Sequence, residues 1–478
     1  MLIKIREGFF FRKYEKFGYI TNKILMKERV VNETGAIIFS ALSKTPREFK
    51  DIIIDISNYF SEVPDDFEKD IIDFLSIMEQ DEFIVTGDNL KEIEIKEQKL
   101  NSSNKFVYDH DKGVNGLNII RSNVSSGDYL NNYFKNNPCL LSLQLEITSL
   151  CNERCIHCYI PHGNKIKKMD YSLFKKIIEQ ANDLGVINIG ISGGEPLMHD
   201  RFCDFIDFLK NYDFSIRLLS NLTLLGDKEI KCIKNSNSLV AVSLYATNPI
   251  IHDSITKLQG SCDRTMSSIQ KLIDNNISVV INCPIMKENV NEVEHVLEWG
   301  SKNTIKVVTD PTMMARCDGT TDNLDHRATQ KDIEYVIDKI IKNDDVYKKH
   351  ITEFKSIINK NKKSREEKAE EILCGACFSS ASVTVEGDVN PCAGWQNYKL
   401  GNLKDTKLRD IWTGGKAIDY IRKLRRADFP KCLDCEDEAF CSICMARNYN
   451  ESLTNDPLEI NEYMCKVARV NRRLVEMC

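Results

Sequence analysis

Apolar positions along this chain switch between a period of two and a period of three to four. Phe9–Tyr14 and Phe17–Thr21 are aromatic and β-branched runs divided by a tight break, which predicts a hairpin. A helix follows from Asn32. The next helix has a start signal: Thr45 as N-cap, Pro46 at the first helical position and Glu48 closing a capping box. A third helix begins near Asp65 and carries Phe67, Ile71, Phe74, Leu75 and Met78 at helical spacing. Strands followed by three short helices predict a winged-helix-like α+β module over residues 1–87.

Residues 88–137 are polar and read as a linker with one short helix. From Leu141 short apolar runs alternate with amphipathic stretches. The runs are Leu141–Ile147, Val186–Ile191, Ser215–Leu219, Leu239–Leu244, Ser278–Ile285 and Ile305–Val308. Six strands with helices between them predict a parallel α/β sheet, open or barrel-like, over 138–324. Chemistry in such a fold gathers at the C-terminal ends of the strands. Residues 325–372 are highly charged and predict solvated connecting helices (Asp332–Asn343, then Lys348–Lys363). A cysteine-dense region over 373–478 completes the chain.

Composition narrows the class. The 478 residues suffice for about three domains, and 42% hydrophobic residues can build real cores. A net charge of −6 argues against a protein that coats nucleic acid. No apolar run is long enough to span a membrane, and Met1–Glu7 has no signal-peptide core. A cytoplasmic protein is expected. There, 18 cysteines are metal ligands or reactive thiols before they are disulfides.

Cys151-x3-Cys155-x2-Cys158 directly follows the first sheet strand, with Tyr159 next. Three thiols in so short a loop can wrap one face of a metal centre. A structural zinc site needs a fourth ligand, and the loop offers only His157. A [4Fe–4S] cluster held by three thiolates keeps one iron free for a chelating cofactor. Here the sequence resembles the radical S-adenosylmethionine (SAM) superfamily. The resemblance implies a partial (β/α)6 TIM-like barrel in which the free iron binds the amino and carboxylate groups of SAM. Reductive cleavage then yields a 5′-deoxyadenosyl radical.

Three other places fit that family. Ser192-Gly193-Gly194-Glu195-Pro196 follows the second strand as its Gly-Gly-Glu-Pro motif. The glycines permit close backbone approach, and the carboxylate can accept a bond from the SAM ammonium. Ser220 and Asn221 end the third strand, where relatives contact the SAM ribose or carboxylate. Ser243 and Tyr245 end the fourth.

Cys374-x2-Cys377-x9-Gly387-x4-Cys392 precedes Cys432-x2-Cys435-x5-Cys441-x2-Cys444 and Cys465. Eight thiols suffice for two four-thiolate sites, and spacing alone leaves paired zinc ribbons open. Beside the radical SAM motifs, the region resembles the SPASM extension. That resemblance implies two auxiliary [4Fe–4S] clusters, three in all. The first would use Cys374, Cys377, Cys392 and Cys444, the second Cys432, Cys435, Cys441 and Cys465. The family has three residues before the ligand at Cys444; this chain has two, Ser442 and Ile443. Full ligation favours electron transfer, and a missing ligand favours substrate binding. Cys139, Cys203, Cys232, Cys262, Cys283 and Cys478 read as small buried hydrophobes. Cys317, just past the sixth strand, faces the expected site mouth and is a candidate hydrogen donor or substrate-handling thiol.

The N-terminal module resembles the PqqD-like leader-peptide recognition domain, carried by the stretch Phe11–Leu42. Asp51, Asp55, Glu62, Asp65 and Asp66, with no basic recognition helix, argue against DNA. Together the regions resemble SPASM-type maturases of ribosomally made peptides. The partners implied are a leader-bearing precursor peptide and a flavodoxin- or ferredoxin-type reductant, with a thioether or carbon–carbon crosslink as product. Competing readings are a maturase of a folded protein, of sulfatase-activator type, and a non-catalytic zinc-ribbon protein.

Overall fold

The structure, a computed structural model, describes residues 1–22, 27–60, 62, 66–103, 133–161, 167–236, 238–343, 351–352, 354–355, 358 and 363–477. They divide into two compact units, chiefly Met1–Val107 and chiefly Asn131–Tyr212 with Ile216–Cys478.

In the first unit β1 (Leu2–Ile5) precedes the expected hairpin, β2 (Phe10–Lys13) and β3 (Phe17–Asn22), which β4 (Lys27–Asn32) extends. Phe11 lies opposite Ile20, and all three strands are antiparallel. Asn32 caps the helix Glu33–Ser40, its side chain accepting from Gly35 N at 2.9 Å.

The start signal at Thr45 is not used as expected. Arg47–Glu48 forms β5, which pairs with β1, and the helix begins only at Phe49. Pairing with the edge of β1 satisfies backbone groups that a capping box would otherwise have to serve. The third helix, Phe67–Gln80, buries Phe67, Ile71, Leu75 and Met78. Asp65, the expected start, lies outside the described residues.

β6 (Ile84–Gly87) closes a second small sheet in the order β5-β1-β6. Beyond it, in the stretch expected to be a linker with one short helix, Leu90–Ser103 is a 14-residue helix. It is tied down by buried Ile93 and by Lys4, whose ammonium reaches Glu97 at 2.6 Å.

The second unit is built on the six expected strands: β7 (Ser142–Glu146), β8 (Asn188–Ser192), β9 (Ser215–Ser220), β10 (Leu239–Ser243), β11 (Val279–Asn282) and β12 (Lys306–Val308). The cysteine-rich region adds β13 (Ser380–Val383), β14 (Asp388–Asn390) and β15 (Gly401–Asn402). The order is β12-β11-β10-β9-β8-β7-β13-β14-β15. The sheet is therefore an open α/β sheet of nine strands. Its first six are the expected parallel set, and β13 joins it parallel to β7.

Register gives this sheet two chemically different faces. Leu143, Leu145, Ile189, Ile191, Leu218, Val240 and Val242 are buried on one. On the other, Ser142 pairs with Asn188, Gln144 with Gly190 and Ser382, and Glu146 with Ser192. Side chains on a strand alternate faces, so a parallel pairing in register keeps the polar positions together. Gln144 Nε2 donates to Ser192 Oγ at 2.9 Å across that face. On the apolar face the helices Tyr171–Asp183 and Phe202–Leu209 meet through stacked Phe174 and Phe205, 4.4 Å apart.

The charged connector also differs from expectation. Its helix Gln330–Asn343 buries Ile333, Val336, Ile337 and Ile340 and packs on the last helix, Glu462–Met477. At about 2 kcal/mol for a fully buried aliphatic side chain, this stripe is a structural seam and not a solvated spacer. Lys348–Lys363 falls largely outside the described residues, as does Cys478. No helix among the described residues is long and apolar enough to cross a membrane.

Candidate functional site

The loop carrying Cys151, Cys155 and Cys158 leaves β7 and is fastened on three sides. Arg154 N and Ile156 N donate to Thr256 O and Ile255 O at 2.9 and 3.0 Å, at the end of helix Pro249–Thr256. Glu153, buried, accepts from Ser261 Oγ at 2.6 Å and from Cys155 Sγ at 3.3 Å. The third side is the Gly-Gly-Glu segment after β8. Gly194 N donates to Thr148 O at 2.8 Å and Glu195 N to Leu150 O at 2.6 Å.

The two glycines are explained by that contact. A Cβ on Gly193, whose φ is +148°, would stand 2.3 Å from Thr148 O. One on Gly194 would stand 2.2 Å from Leu150 O. Both clashes are with backbone, so the glycines admit the cysteine loop itself. Gly194→Ala should displace that loop and cost about 1–3 kcal/mol. The expected readout is a lower iron content after anaerobic reconstitution; unchanged iron would mean the loop tolerates the shift.

Glu195 is likewise committed within the chain. Its carboxylate accepts from Ser220 Oγ at 2.7 Å, Asn221 N at 2.7 Å and Leu197 N at 3.0 Å. Burial, working against these donors, pushes it up to about 7. The expected bond to an ammonium would have to use its remaining acceptor capacity; the carboxylate first joins the ends of β8 and β9. Asn221 in turn donates to Asn152 Oδ1 at 3.1 Å, inside the cysteine loop. Pro196 opens a 3-10 turn, Pro196–Met198.

Tyr245 is buried past the end of β10, its hydroxyl 4.0 Å from Cys155 Sγ and its ring edge-on to His157 at 4.7 Å. Ser243 ends β10, opposite Asn282 of β11. Tyr159 is half-buried, and its carbonyl accepts from Cys317 N at 2.8 Å. The structure thus gathers Tyr159, Glu195, Ser220, Asn221 and Tyr245 around the three thiols. It puts Ser192 one step down, bonded to Gln144.

Cys317 is 4% exposed, its sulfur 3.7 Å from Ala393 O. Burial pushes its thiol up to about 12. It lies between the first cysteine loop and the segment after Cys392, and does not open onto a mouth.

Sequence reasoning missed Glu146 and Arg316. Glu146 ends β7 on the polar face, accepts from Gln396 Nε2, and is pushed by burial up to about 7. Its alternation with Ser142 and Gln144 was the available signal. Arg316 donates to Cys158 O at 2.8 Å and pairs with Asp322.

The C-terminal thiols fall into two neighbourhoods. Cys374 and Cys444 act on Cys392, while Cys432, Cys435 and Cys465 act on Cys441. The shortened Cys441-x2-Cys444 spacing therefore does not keep Cys444 from Cys392. Among the described residues no three His, Cys, Asp or Glu side chains close on one ion-sized point. The donor chemistry, thiols in groups of three and four beside a glycine cradle, fits iron–sulfur clusters with a chelating cofactor at the first.

Known proteins agree with this architecture. Residues 145–300 match the radical SAM superfamily and 374–436 the iron–sulfur cluster-binding domain SPASM. The chain is 25% identical over 331 residues to the antilisterial bacteriocin subtilosin biosynthesis protein AlbA of Bacillus subtilis (strain 168), covering 66% of this chain and 69% of that one. It is 29% identical over 172 residues to a GTP 3′,8-cyclase of Clostridium perfringens (strain SM101 / Type A), spanning 34% of this chain and about half, 52%, of the cyclase. The crystal structure of Streptococcus suis SuiB bound to precursor peptide SuiA superposes with a TM-score of 0.65 at 16% identity, covering 97% of this chain and 99% of that one. The chain therefore combines a radical SAM domain with a SPASM iron–sulfur domain in one open nine-stranded sheet.

Proposed function

We propose that this chain is an enzyme that cleaves SAM reductively and modifies a ribosomally made, leader-bearing precursor peptide, forming a thioether or carbon–carbon crosslink. The observation that carries this is the three-thiol loop at the C-terminal end of β7. It is locked by Gly194, Glu195 and Asn221 to the next two strand ends, in the same sheet that the cysteine-rich region extends. The peptide substrate is supported by the likeness to AlbA, a bacteriocin biosynthesis protein, and to SuiB, crystallised with its precursor peptide.

A [4Fe–4S] cluster on Cys151, Cys155 and Cys158 would supply the electron that breaks SAM to a 5′-deoxyadenosyl radical. Tyr159, Ser192, Gly193, Gly194, Glu195, Pro196, Ser220, Asn221, Ser243 and Tyr245 would line the SAM site, and Glu195 would also join the strand ends that face it. The two C-terminal thiol groups would hold two auxiliary clusters. The first unit would bind the leader as an added strand on an exposed sheet edge, in the PqqD-like manner. A flavodoxin- or ferredoxin-type protein would deliver electrons.

Metal and sulfide analysis of anaerobically purified protein tests the core of this. About twelve irons with matching sulfide per chain are expected for three clusters. Zinc without sulfide would replace the enzyme with a zinc-ribbon protein.

A further inference from the structure

Strands β9 to β12 carry two cations that the proposed reaction does not use. Register sets Arg217 opposite Leu239, Ala241 opposite Val280, and Val280 opposite Lys306. Partners in a parallel ladder share a face, and so do residues two apart on one strand. Arg217 and Lys306 therefore lie on one face. It is opposite the face where Leu218, Val240, Val242, Ile281 and Val307 are buried. The face with the cations is open: Arg217 is exposed, and Leu239, Asn282, Lys306 and Val308 are half-buried.

This open face is concave. Arg217 and Lys306 belong to strands three spacings apart, about 14 Å in a flat sheet. Long side chains leaning together over a curved sheet close that span. Burial lowers Lys306, and the Arg217 charge lowers it further. Burial also lowers Arg217, although its guanidinium still meets solvent. A group that is both wetted and desolvated stands in a recess walled by protein.

Neither cation has a counter-ion. Among the described residues neither makes a hydrogen bond or an ion pair. The four strands themselves contain no Asp or Glu. Two like charges in a recess repel, and each costs more there than in bulk water. Low-dielectric walls also focus a field of one sign, which draws an anion in.

We infer that Arg217 and Lys306 form a binding site for a carboxylate side chain, Asp or Glu, of the substrate peptide. This rests on the reading that the substrate is a ribosomally made peptide, whose side-chain anion is a carboxylate. The planar guanidinium matches a carboxylate in a two-pronged pair, and the ammonium adds a second charge. Arg217 lies three residues before Ser220 on β9, about 10 Å along the strand from the end proposed to face SAM. The pair therefore touches neither the cofactor nor the reacting atoms. It selects which peptide occupies the recess and leaves SAM cleavage alone.

The test titrates three probes into the full-length, anaerobically reconstituted protein: N-acetyl-L-glutamate N-methylamide, its glutamine counterpart and inorganic phosphate. Saturation-transfer nuclear magnetic resonance reads binding. The glutamate probe should bind at least about tenfold more tightly than the glutamine probe, as expected for hydrogen bonds between charged groups. Arg217→Gln and Lys306→Gln should each remove most of that preference. Circular dichroism and SAM cleavage without peptide should stay at the level of the unchanged protein.

Equal binding of the glutamate and glutamine probes by the unchanged protein would overturn the inference. So would a glutamate preference that survives in both variants. Phosphate binding more tightly than glutamate would overturn it too, because the recess would then serve a free inorganic anion. Absence of SAM cleavage by the unchanged protein would instead remove the proposed function, without altering what the probes report.

Discussion

Cys155→Ala should abolish formation of 5′-deoxyadenosine from SAM. Its sulfur lies 3.3 Å from Glu153 Oε2 and 4.0 Å from the Tyr245 hydroxyl, on a loop whose backbone is pinned to Thr256 and Ile255. The loop should therefore keep its course when the sulfur is removed, and the loss should be one of ligation. With two thiolates left, the first cluster loses its tripod. Changing a residue that only orients a ligand typically costs about 10–100-fold. Removing a ligand should exceed that, with deoxyadenosine falling more than about 100-fold. Iron should fall from about twelve to about eight per chain, because the C-terminal thiols are untouched. Retained SAM cleavage would show that the loop does not hold the reactive cluster. Binding of a leader peptide, measured by fluorescence anisotropy, should be unchanged.

Removing the first unit should have the second large effect. The cut belongs after Ser103, because Leu90–Ser103 is held by Lys4–Glu97 and by Glu7 N, which donates to Glu97 at 2.8 Å. A cut at residue 87 would strand that helix and confuse misfolding with loss of function. If the unit binds the leader, it raises the local concentration of the peptide core at the site. Peptide modification at low substrate concentration should then fall by at least about tenfold, equivalent to 1.4 kcal/mol of binding. SAM cleavage without peptide should change by less than about twofold. Mass spectrometry of the peptide, which loses two hydrogens per crosslink, reads the first quantity, and chromatography of deoxyadenosine the second. Equal modification by the truncated protein would sink the leader assignment.

Much of the fold was legible because its signals are local. All six parallel strands, the hairpin and the helix after Asn32 lie where the periodicity put them. The misreadings come from competition between local and distant partners. Thr45-Pro46-Arg47-Glu48 has the residues of a helix start, yet β1 offers a strand edge and takes Arg47–Glu48 into a sheet. The charged helix Gln330–Asn343 looked solvated until its one apolar stripe met the last helix. The Glu195 motif was visible in the sequence, but that Ser220 and Asn221 also bond to its carboxylate was not, because they come from the next strand.

The sequence by itself determined which residues can do the chemistry: three thiols at C-x3-C-x2-C spacing after a strand, a Gly-Gly-Glu turn and a cysteine-rich tail. Spacing along a loop limits which atoms can meet, and it needs no knowledge of the rest of the chain. Only the tertiary structure decided what each of those groups is free to do. Strand register put Glu146 and Gln144 on one polar face, and the cysteine loop filled the room the two glycines leave. A turn at Gly375, with Arg422 Nε donating to Cys377 O, buried Cys377. Those outcomes depend on contacts between residues far apart in sequence, where close packing and hydrogen-bond satisfaction, and not local spacing, choose the partner.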